Sequence, residues 1–339
     1  MRVIIPMAGM GKRLRPHTLT MPKPLLPIAG KPIVQRLVED INEICEEKIE
    51  ELAFIVGDFG IKVEKQLCEI AEKIGAKASI YYQKEALGTA HAILCAKDSL
   101  LDKTIVAFAD TLFKADFTLD ESRDGTIWVK QIDDPSAFGV VKTNENNIIT
   151  DFVEKPETYV SDLAIIGIYY FKSGEYLKEE LEYVIDNNIK DKGEFQLTTA
   201  LENMKTKGSE LYAAPVTEWL DCGNKDATVM TNQRVLELNR GNGLISSSLI
   251  NEGGTVIEPC YIGENVRITN SVIGPHVSVG DNSVIRNSKI ENTIIQTDTT
   301  IDSVNIVNSM IGSHVDYKGG GRDNGKVDVS IGDYSTLSQ

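Results

Sequence analysis

The sequence contains little cysteine for its length, and the cysteines it has are not arranged to bind a metal. They are odd in number, lie far apart and form no C-x-x-C pair: Cys45, Cys68, Cys95, Cys222 and Cys260. A disulfide framework needs paired cysteines, and a zinc site needs closely spaced ligands. Neither is therefore expected, and we predict that the cysteines are small, reduced core residues.

Long hydrophobic runs and excess positive charge are also missing. The apolar start, Val3–Ile5, is too short for the core of a signal peptide, and no run approaches the ~18 residues of a membrane span. The formal net charge is −15, which does not attract nucleic acid or anionic lipid. We therefore expect a cytoplasmic protein without nucleic-acid or membrane partners, whose cations serve local sites.

Strand-like and helical runs alternate over the first 110 residues, which is typical of βαβ units and a doubly wound parallel sheet. The predicted strands are 2–6, LAFIVG, ASIYYQ and TIVAFAD, and the predicted helices are 32–49, 60–75 and 88–98. After GTIWVKQI the pattern changes to a hairpin in FGVVKTNENNIITDFVEKP and a third strand in LAIIGIYYF. We predict an inserted, partly antiparallel substrate lobe, closed by helices near 173–186, 194–206 and 223–240.

Beyond a polar linker at 239–243, aliphatic residues recur every five or six positions. The series is Ile262, Ile268, Ile273, Val279, Ile285, Ile290, Ile295, Ile301, Ile306 and Ile311. This hexapeptide period is typical of a β-helix, in which each short strand directs one aliphatic side chain inward and three strands make one coil. We predict two domains, 1–240 and 241–339, with about four short coils in the second. The glycine-rich tail is a candidate last strand or cap.

Glycines and fixed cations cluster after the first strand. Backbone N–H groups can approach a phosphate at such a turn because no Cβ intervenes. The loop fails the Walker A pattern, because neither Ser nor Thr follows Gly11-Lys12, and it fails the G-x-G-x-x-G pattern, because the third glycine is Leu14. It retains Gly9-x-Gly11, then Arg13, then Lys23. Cations added to a glycine cradle indicate a triphosphate or a second phosphate.

These motifs together resemble a known family, the sugar-1-phosphate nucleotidyltransferases, especially the glucose-1-phosphate thymidylyl- and uridylyltransferases. The matching segments occur in the family's order over residues 1–240: Ala8–Pro16 with Pro22–Leu25, Gln83–Ala92, Phe108–Asp110, Phe138–Val141, Glu154–Pro156, Ile166–Tyr169, Gly193–Thr198 and Trp219–Gly223. The resemblance implies an α/β fold, in which a Rossmann-like doubly wound nucleotidyltransferase domain is followed by a left-handed parallel β-helix.

The resemblance also implies a role for each matching residue. The catalytic cations are Arg13 on the leaving pyrophosphate, Lys23 near the α-phosphate and Lys155 on the sugar phosphate. The nucleotide-binding residues are Ala8, Gly9, Gly11, Gln83, Gly88 and Thr89. The sugar-binding residues are Gly139, Glu154, Gly167 and Glu194. Asp110 and Asp221 are the implied ligands of Mg²⁺, the expected cofactor.

The implied reaction is attack of a sugar 1-phosphate, most simply glucose 1-phosphate, on the α-phosphorus of UTP or dTTP. Gln83 can donate and accept hydrogen bonds at the base edge that uracil and thymine share, so the sequence does not distinguish UTP from dTTP. The sugar also stays open, because galactose, N-acetylhexosamine or muramic-type phosphates would use the same cations. Met7, Lys12, Ala109 and Thr111 depart from the family's usual residues.

Two other functions remain open. One is a non-catalytic nucleotide-sugar-binding regulatory subunit. The other is a bifunctional enzyme whose repeats transfer an acetyl group, although we predict structural roles for the two histidines of the repeats, His276 and His314. Because the end of a β-helix must be capped or paired, we expect a homo-oligomer.

Overall fold

The computed structural model describes residues 1–321 and 325–338. The chain forms two compact units. Met1–Gly9 and Gln35–Trp219 form the first, called here the sheet unit, and Met10–Val34 and Leu220–Gln339 form the second, called the β-helix unit. Met10–Val34, called here the basic segment, thus belongs to the same unit as the C-terminal repeats. The predicted domain division at residue 240 stays a prediction.

The first 240 residues contain thirteen strands and six helices, whose bounds follow in chain order. They are β1 (Arg2–Pro6), β2 (Pro27–Ile28), β3 (Lys31–Pro32), α1 (Ile33–Ile44), β4 (Glu51–Val56), α2 (Ile61–Lys73), β5 (Lys77–Tyr82), α3 (Thr89–Leu94), β6 (Thr104–Ala107), β7 (Thr111–Lys114), β8 (Gly125–Gln131), β9 (Val140–Thr143), β10 (Ile149–Val153), β11 (Leu163–Phe171), α4 (Gly174–Asp186), α5 (Leu197–Thr206), β12 (Leu211–Pro215), β13 (Glu218–Asp221) and α6 (Lys225–Leu238). Three short 3-10 helices lie at Lys12–Leu14, Lys23–Leu25 and Lys97–Ser99.

A nine-stranded mixed sheet forms the centre of the sheet unit. Its main order is β10-β9-β11-β6-β1-β4-β5, and β8 pairs with both β11 and β12. Strands β6, β1, β4 and β5 are mutually parallel, as the alternation of strands and helices predicts. From β1 the chain continues to β4 and β5 on one side of β1, and it then returns to form β6 on the other side of β1. The sheet therefore has a topological switch point between β1 and β6, where open α/β sheets bind ligands.

The strands predicted as an inserted lobe do not form a sheet of their own. Strand β11 runs antiparallel to β6, from the pair Ile168–Ala107 to the pair Phe171–Thr104, and so extends the first sheet. The hairpin of β9 and β10 is antiparallel, as expected. The partly antiparallel pairing is as predicted, but the sequence could not show that these strands extend the first sheet, because strand periodicity reports which face is buried and not which neighbouring edge a strand joins.

Alternate residues of the central strands build a core on one face of this sheet. Ile4, Ala53, Ile55 and Val106 belong to a buried cluster that continues into α3, α4 and α5. Helix α2 packs against β4 and β5, and its buried residues lie outside that cluster. Each buried aliphatic side chain of this kind contributes about 1.5–3 kcal/mol relative to an exposed one.

The C-terminal repeats form three parallel sheets, the arrangement of a left-handed parallel β-helix. Their strands are β14 (Ile250–Glu252), β15 (Thr255–Val256), β16 (Cys260–Ile262), β17 (Arg267–Thr269), β18 (Val272–Ile273), β19 (Val277–Val279), β20 (Val284–Arg286), β21 (Lys289–Glu291), β22 (Ile294–Ile295), β23 (Thr300–Asp302), β24 (Asn305–Val307), β25 (Met310–Ile311), β26 (Asp316–Lys318), β27 (Ser330–Ile331) and β28 (Thr336–Ser338). The three sheets have the orders β14-β17-β20-β23-β26-β28, β15-β18-β21-β24 and β16-β19-β22-β25-β27. All ten aliphatic residues of the predicted series are buried in one cluster.

The β-helix is longer than the about four coils predicted. One of its sheets stacks six strands, and the glycine-rich tail supplies its last strand, β28. Leu337 pairs with Tyr317, twenty positions earlier, whereas Ile301 pairs with Ile285, sixteen positions earlier. The longer last step hid this coil from a search for a six-residue period.

The coil corners explain the small polar residues between the aliphatic ones. Asn265, Asn270, Asn282, Asn287 and Asn292 all have φ between 43° and 58°, a left-handed conformation that asparagine tolerates better than most residues. Their amides stack between coils: Asn270 Nδ2 donates to Asn287 Oδ1 at 2.9 Å. The repeated NS and NT dipeptides are thus the turn residues of the β-helix.

Smaller differences concern the helix ends and the cysteines. Helix α1 ends at Ile44, and the predicted helix at 88–98 is α3 followed by the 3-10 helix at Lys97–Ser99. All five cysteines are free, but only Cys222 and Cys260 are fully buried. Burial raises the pKa of Cys45 to about 12 and that of Cys260 to about 11, so these two thiols stay protonated at neutral pH. Within residues 1–321 and 325–338, no helix has the length and hydropathy needed to cross a membrane.

Candidate active site

Three predicted site segments leave the same edge of the sheet. Ala8-Gly9 follows β1, Gln83 follows β5 and Asp110 follows β6 by three residues. Because these strands are parallel, their carboxyl ends meet at one edge, and the ends of β1 and β6 flank the switch point. Asp110 is half-buried there.

The side-chain amide of Gln83 is oriented by its neighbours. Its Nε2 lies 3.2 Å from Nδ1 of His91 and 3.4 Å from the carbonyl oxygen of Gly88. Its backbone N–H donates to the Val56 carbonyl at 3.0 Å, which continues the hydrogen bonding between β4 and β5. His91 was not among the residues predicted for the site, although it lies in the same matching segment, two residues after Thr89.

Gly88 must be glycine for two reasons. Its φ is 120°, a conformation that side chains rarely adopt, and a Cβ there would lie 2.4 Å from the Phe195 carbonyl oxygen. The close approach comes from paired backbone hydrogen bonds, in which Phe195 N–H donates to Leu87 and Ala90 N–H donates to Phe195, both at 2.9 Å. The segment before α3 is therefore bonded to the segment before α5.

Thr89 strengthens the same connection. Its hydroxyl accepts a hydrogen bond from the Leu197 N–H at 2.8 Å and donates to Gln196 Oε1 at 3.1 Å. Gln196 Nε2 in turn donates to Glu194 Oε2 at 3.1 Å. A continuous set of contacts thus runs from the predicted nucleotide-binding residues to the predicted sugar-binding residue Glu194.

Glu154 and Lys155 lie just beyond the end of β10. Lys155 has a φ of 42°, its backbone N–H donates to Phe138, and its Nζ lies 3.5 Å from Glu154 Oε1. The ammonium of Lys192, a residue that was not predicted for the site, donates to the carbonyls of Lys155 at 2.7 Å and Glu154 at 3.1 Å. The turn is thus held in one conformation while the Lys155 side chain remains about half exposed.

Glu154 also explains the glycine at position 139. Glu154 Oε2 lies 3.5 Å from the Thr198 hydroxyl and would lie 3.1 Å from a Cβ on Gly139. A side chain at position 139 would therefore push against this carboxylate. Burial, with Glu154 as a second cause, raises the pKa of the Tyr169 hydroxyl, so Tyr169 stays protonated.

Gly167 lies where β11 departs from regular pairing. Its φ is 88°, and the register between β11 and β8 shifts between Ile165 and Tyr169. The Gly167 carbonyl accepts a hydrogen bond from the N–H of Phe108 at 2.9 Å. This irregularity therefore supports the turn that carries Asp110, two residues further on.

In the β-helix unit, Gly11 begins a tight turn that carries Arg13. Gly11 has a φ of 56°, and its carbonyl accepts hydrogen bonds from Leu14 N–H and from the Thr18 hydroxyl, both at 2.9 Å. A Cβ on Gly11 would lie 3.1 Å from Lys23 Cβ. The turn of Gly11 and the 3-10 helix of Lys23 are therefore packed closely together.

Arg13 and Asp221 are brought together beside Gly223. The Gly223 N–H donates to Asp221 Oδ1 at 3.0 Å, and a Cβ on Gly223 would lie 3.3 Å from Nη2 of Arg13. The Asp221 carbonyl accepts from the Thr231 hydroxyl of α6 at 2.8 Å. Helix α6 therefore fixes the backbone of Asp221, and Gly223 orients its carboxylate.

The carboxylates of Asp110 and Asp221 have the chemistry that Mg²⁺ prefers. Within the described residues, no group of three or more His, Cys, Asp or Glu side chains could hold a metal ion. Mg²⁺ is usually held by one or two carboxylates together with substrate phosphates, so a cluster of three protein ligands is not required. Each of the two aspartates fits such a role.

The predicted site residues divide between the two units. The sheet unit contains Ala8, Gly9, Gln83, Gly88, Thr89, Asp110, Gly139, Glu154, Lys155, Gly167 and Glu194. The β-helix unit contains Gly11, Arg13, Lys23 and Asp221. Within each unit, most of these residues are connected by the contacts described above.

Comparison with known proteins shows which family the chain matches. Residues 2–237 match the family model described as nucleotidyl transferase. The chain is 30% identical to the glucose-1-phosphate thymidylyltransferase of Streptomyces antibioticus, over 93% of each protein. It is also 30% identical to the bifunctional protein GlmU of Methanocaldococcus jannaschii, over 94% of this chain and 79% of that protein.

A solved structure shares the fold. The nucleoside-diphosphate-sugar pyrophosphorylase from Vibrio cholerae superposes with a TM-score of 0.60 at 20% identity, over 68% of this chain and 99% of that one.

Proposed function

The chain belongs to the nucleotidyl transferase family, and we propose that it transfers a nucleotidyl group from UTP or dTTP to a sugar 1-phosphate, with glucose 1-phosphate as the leading candidate. The products are a nucleotide sugar and pyrophosphate. The observation that carries the proposal is the connected set Gln83–Gly88–Thr89–Gln196–Glu194, which joins a base-reading amide to a carboxylate suited to sugar hydroxyls.

The base is read by the Gln83 side chain. An amide that donates and accepts can pair with the N3–H and O4 edge of uracil or thymine. The contact with His91 Nδ1 supports this role because it restricts the rotation of the amide. Gly88 leaves backbone groups accessible where a side chain would block them.

The sugar phosphate is bound by Lys155, and the sugar hydroxyls by Glu154 and Glu194. The strained backbone of Lys155 and the two Lys192 hydrogen bonds support this role, because they fix the point from which the ammonium extends. Gly139 leaves space beside the Glu154 carboxylate, and Gly167 is the remaining residue that we assign to the sugar. Carboxylates accept hydrogen bonds from neighbouring hydroxyls, which suits them to a sugar.

The triphosphate is bound by the backbone of Ala8, Gly9 and Gly11 and by the cations Arg13 and Lys23. A sugar 1-phosphate is already an anion, so its attack on the α-phosphorus requires no general base. The protein then contributes by positioning the reactants and by neutralising charge on the transferring phosphoryl group. Mg²⁺, with Asp110 and Asp221 as its candidate ligands, would supply further neutralisation of phosphate charge when bound.

The decisive experiment is a matrix of nucleoside triphosphates against sugar 1-phosphates, scored by pyrophosphate release. The proposal expects activity only with UTP, dTTP or both, and strongest with one hexose 1-phosphate. Release with ATP or GTP but not with a pyrimidine nucleotide would contradict the role of Gln83. No release with any pair, in the presence of Mg²⁺, would favour a nucleotide-sugar-binding regulatory subunit.

A second candidate activity is acetyl transfer by the β-helix. Its six-stranded sheet and the similarity to a protein named bifunctional GlmU favour a test of this activity. The two histidines already have partners: His276 Nε2 lies 2.6 Å from Glu237 Oε1, and the ring of His314 stacks on Tyr334 at 4.8 Å. Incubation with acetyl-CoA and an amino-sugar phosphate tests it directly, and free thiol release above background would establish it.

We also propose that the protein is a homo-oligomer. The last described strand of one β-helix sheet, β28, pairs only with β26, which leaves one edge of that strand unpaired within residues 1–321 and 325–338. An edge of this kind is usually capped or covered. Sedimentation at micromolar concentration would contradict the proposal if it detected only monomer.

A further inference from the structure

The last coils of the β-helix contact the basic segment at three consecutive points. Nε2 of His17 lies 3.0 Å from the Ser330 hydroxyl of β27. The Thr20 hydroxyl hydrogen-bonds Asp333, and a Cβ on Gly332 would lie 2.8 Å from Cβ of Pro16. Residues 16–20 of the basic segment are therefore packed against residues 330–333 of the last coils.

His17 is an unusual residue for such a contact. It is only 1% exposed, and burial lowers its pKa to about 4, with Asp333 opposing and Lys225 adding to the shift. It is therefore neutral at pH 7, and within the described residues its buried Nδ1 has no hydrogen-bond partner. The contact with Ser330 is thus the hydrogen bond that this buried ring retains, and losing it would leave a second buried nitrogen unsatisfied.

The other end of the basic segment is also anchored in the β-helix unit. The Ala29 N–H donates to Oδ1 of the fully buried Asn232 at 2.9 Å, and the same oxygen accepts from the Ser278 hydroxyl of β19 at 2.7 Å. The ring of Tyr261 in β16 leaves no room for a Cβ at Gly30. Helix α6 and the early coils therefore hold residues 29–30, while the last coils hold residues 16–20.

The anchored part of the segment includes the triphosphate residues or contacts them. Thr18 follows His17 directly, and its hydroxyl bonds the Gly11 carbonyl at 2.9 Å. A Cβ on Gly11 would lie 3.0 Å from Cγ2 of Thr18 and 3.1 Å from Cβ of Lys23. Displacement of residues 16–18 would therefore move the turn of Gly11 and Arg13 and the 3-10 helix of Lys23.

We propose that the β-helix takes part in nucleotide binding: its last coils hold the basic segment in a binding conformation, and His17 is a positioning residue that acts through Thr18 on Arg13 and Lys23. This inference rests on the proposed function, because it assigns the triphosphate to the basic segment. His17 is not assigned a contact with substrate, because its side chain faces Ser330.

The test compares His17→Leu, His17→Gln and Ser330→Ala with the control Ser338→Ala in the full-length protein. A leucine side chain at position 17 cannot bond Ser330, whereas the side-chain amide of a glutamine has both a donor and an acceptor and can bond the Ser330 hydroxyl in either direction. Ser338 lies on β28, the strand that follows β27 along the chain, and is exposed. The proposal expects the KM for the nucleoside triphosphate to rise about tenfold in His17→Leu and Ser330→Ala, and by less than about threefold in His17→Gln. The KM for the sugar 1-phosphate and all constants of Ser338→Ala should stay near wild type.

A merely structural role would give a different pattern. It would lower the unfolding temperature and the yield of active enzyme without a selective change in the KM for the triphosphate. The inference would be overturned if the KM values of both substrates changed equally. It would also be overturned if the KM for the triphosphate changed in neither His17→Leu nor Ser330→Ala. The double variant His17→Leu/Ser330→Ala should be no worse than the worse single one, because both remove the same contact.

Hydrogen exchange separates failure of this inference from failure of the proposed function. The amides of residues 11–25 should exchange faster in Ser330→Ala than in wild type, and at the wild-type rate in Ser338→Ala. This measurement needs no substrate. If wild type releases no pyrophosphate with any substrate pair, the proposed function fails, and exchange still decides whether the last coils hold the segment. Unchanged exchange in Ser330→Ala overturns the positioning role.

Discussion

The two units hold their candidate site residues in different ways. In the sheet unit, Gln83 and Asp110 follow strands whose positions are set by the ladder hydrogen bonds of a nine-stranded sheet. In the β-helix unit, Arg13 and Lys23 lie in a segment that contains, before the start of α1, only two short 3-10 helices and the two-residue strands β2 and β3. That segment depends on side-chain contacts with the β-helix and α6.

This difference predicts how each region responds to mutation. Ladder hydrogen bonds are many and cooperative, so losing one surface side chain in the sheet unit should leave the backbone in place and remove only that group's chemistry. The basic segment is held by a few separate contacts, so losing one of them should shift the groups it carries. The variants below test this contrast, from the largest expected effect to the smallest.

Lys155→Ala should cause the largest loss. Removing a charge that stabilises a transferring phosphoryl group commonly costs on the order of 10²–10³ in kcat. The matched control is Lys142→Ala, an exposed lysine on β9 of the same hairpin. Steady-state pyrophosphate release measures both, and the unfolding temperature should change in neither. Near-wild-type activity of Lys155→Ala would remove this residue from the site.

Gly88→Ala should destabilise the sheet unit by about 3 kcal/mol, because it adds backbone strain to a clash with the Phe195 carbonyl. Gly208→Ala is the control for strain alone: its φ is 100°, but a Cβ there meets nothing within 4 Å. Urea unfolding should therefore give a clearly larger loss for Gly88→Ala. Equal losses would show that the contact between the Gly88 and Phe195 segments is easily relaxed.

His17 should make the β-helix unit sensitive to mild acid. Its pKa is lowered from 6.5 to about 4 on folding, so the unfolded chain binds the proton first as the pH falls. The contribution of neutral His17 to the free energy of unfolding should therefore be present in full above pH 6.5. By pH 5 the free energy of unfolding should have fallen by about 2 kcal/mol because of this group. Urea unfolding of wild type and of His17→Gln, above pH 6.5 and at pH 5, isolates the contribution of His17. If the stabilities of the two proteins fell equally with pH, the prediction would be contradicted.

Asn270→Ala should have the smallest effect, about 1 kcal/mol, because alanine tolerates a φ of 47° less well than asparagine and the amide contact with Asn287 is lost. Asn270→Gly keeps the backbone conformation and loses only the contact, so it should cost less. Thermal unfolding of both variants shows whether the backbone conformation or the amide contact contributes more to stability. Equal losses in the two variants would mean that the amide ladder, and not the left-handed corner, selects asparagine.

Much of the fold could be predicted because it has a periodic or local cause. The six-residue aliphatic period predicted the β-helix, and the alternation of strands and helices predicted the parallel strands. The length of the β-helix was underestimated because the glycine-rich stretch interrupts that period before β27 and β28. The sequence could not show that the strands of the predicted substrate lobe extend the first sheet, because no local pattern indicates that β11 joins the edge of β6.

The sequence by itself determined the family, the chemistry of the candidate residues and the two architectures. These follow from motif order, side-chain type and periodicity, all of which are readable along the chain. Only the tertiary structure decided that Gly88 meets Phe195, that Lys192 holds the Lys155 turn, and that the basic segment packs with the β-helix through His17 and Ser330. The physical reason is that these contacts join residues from 37 to 313 positions apart, and one-dimensional patterns carry no information about which distant surfaces meet.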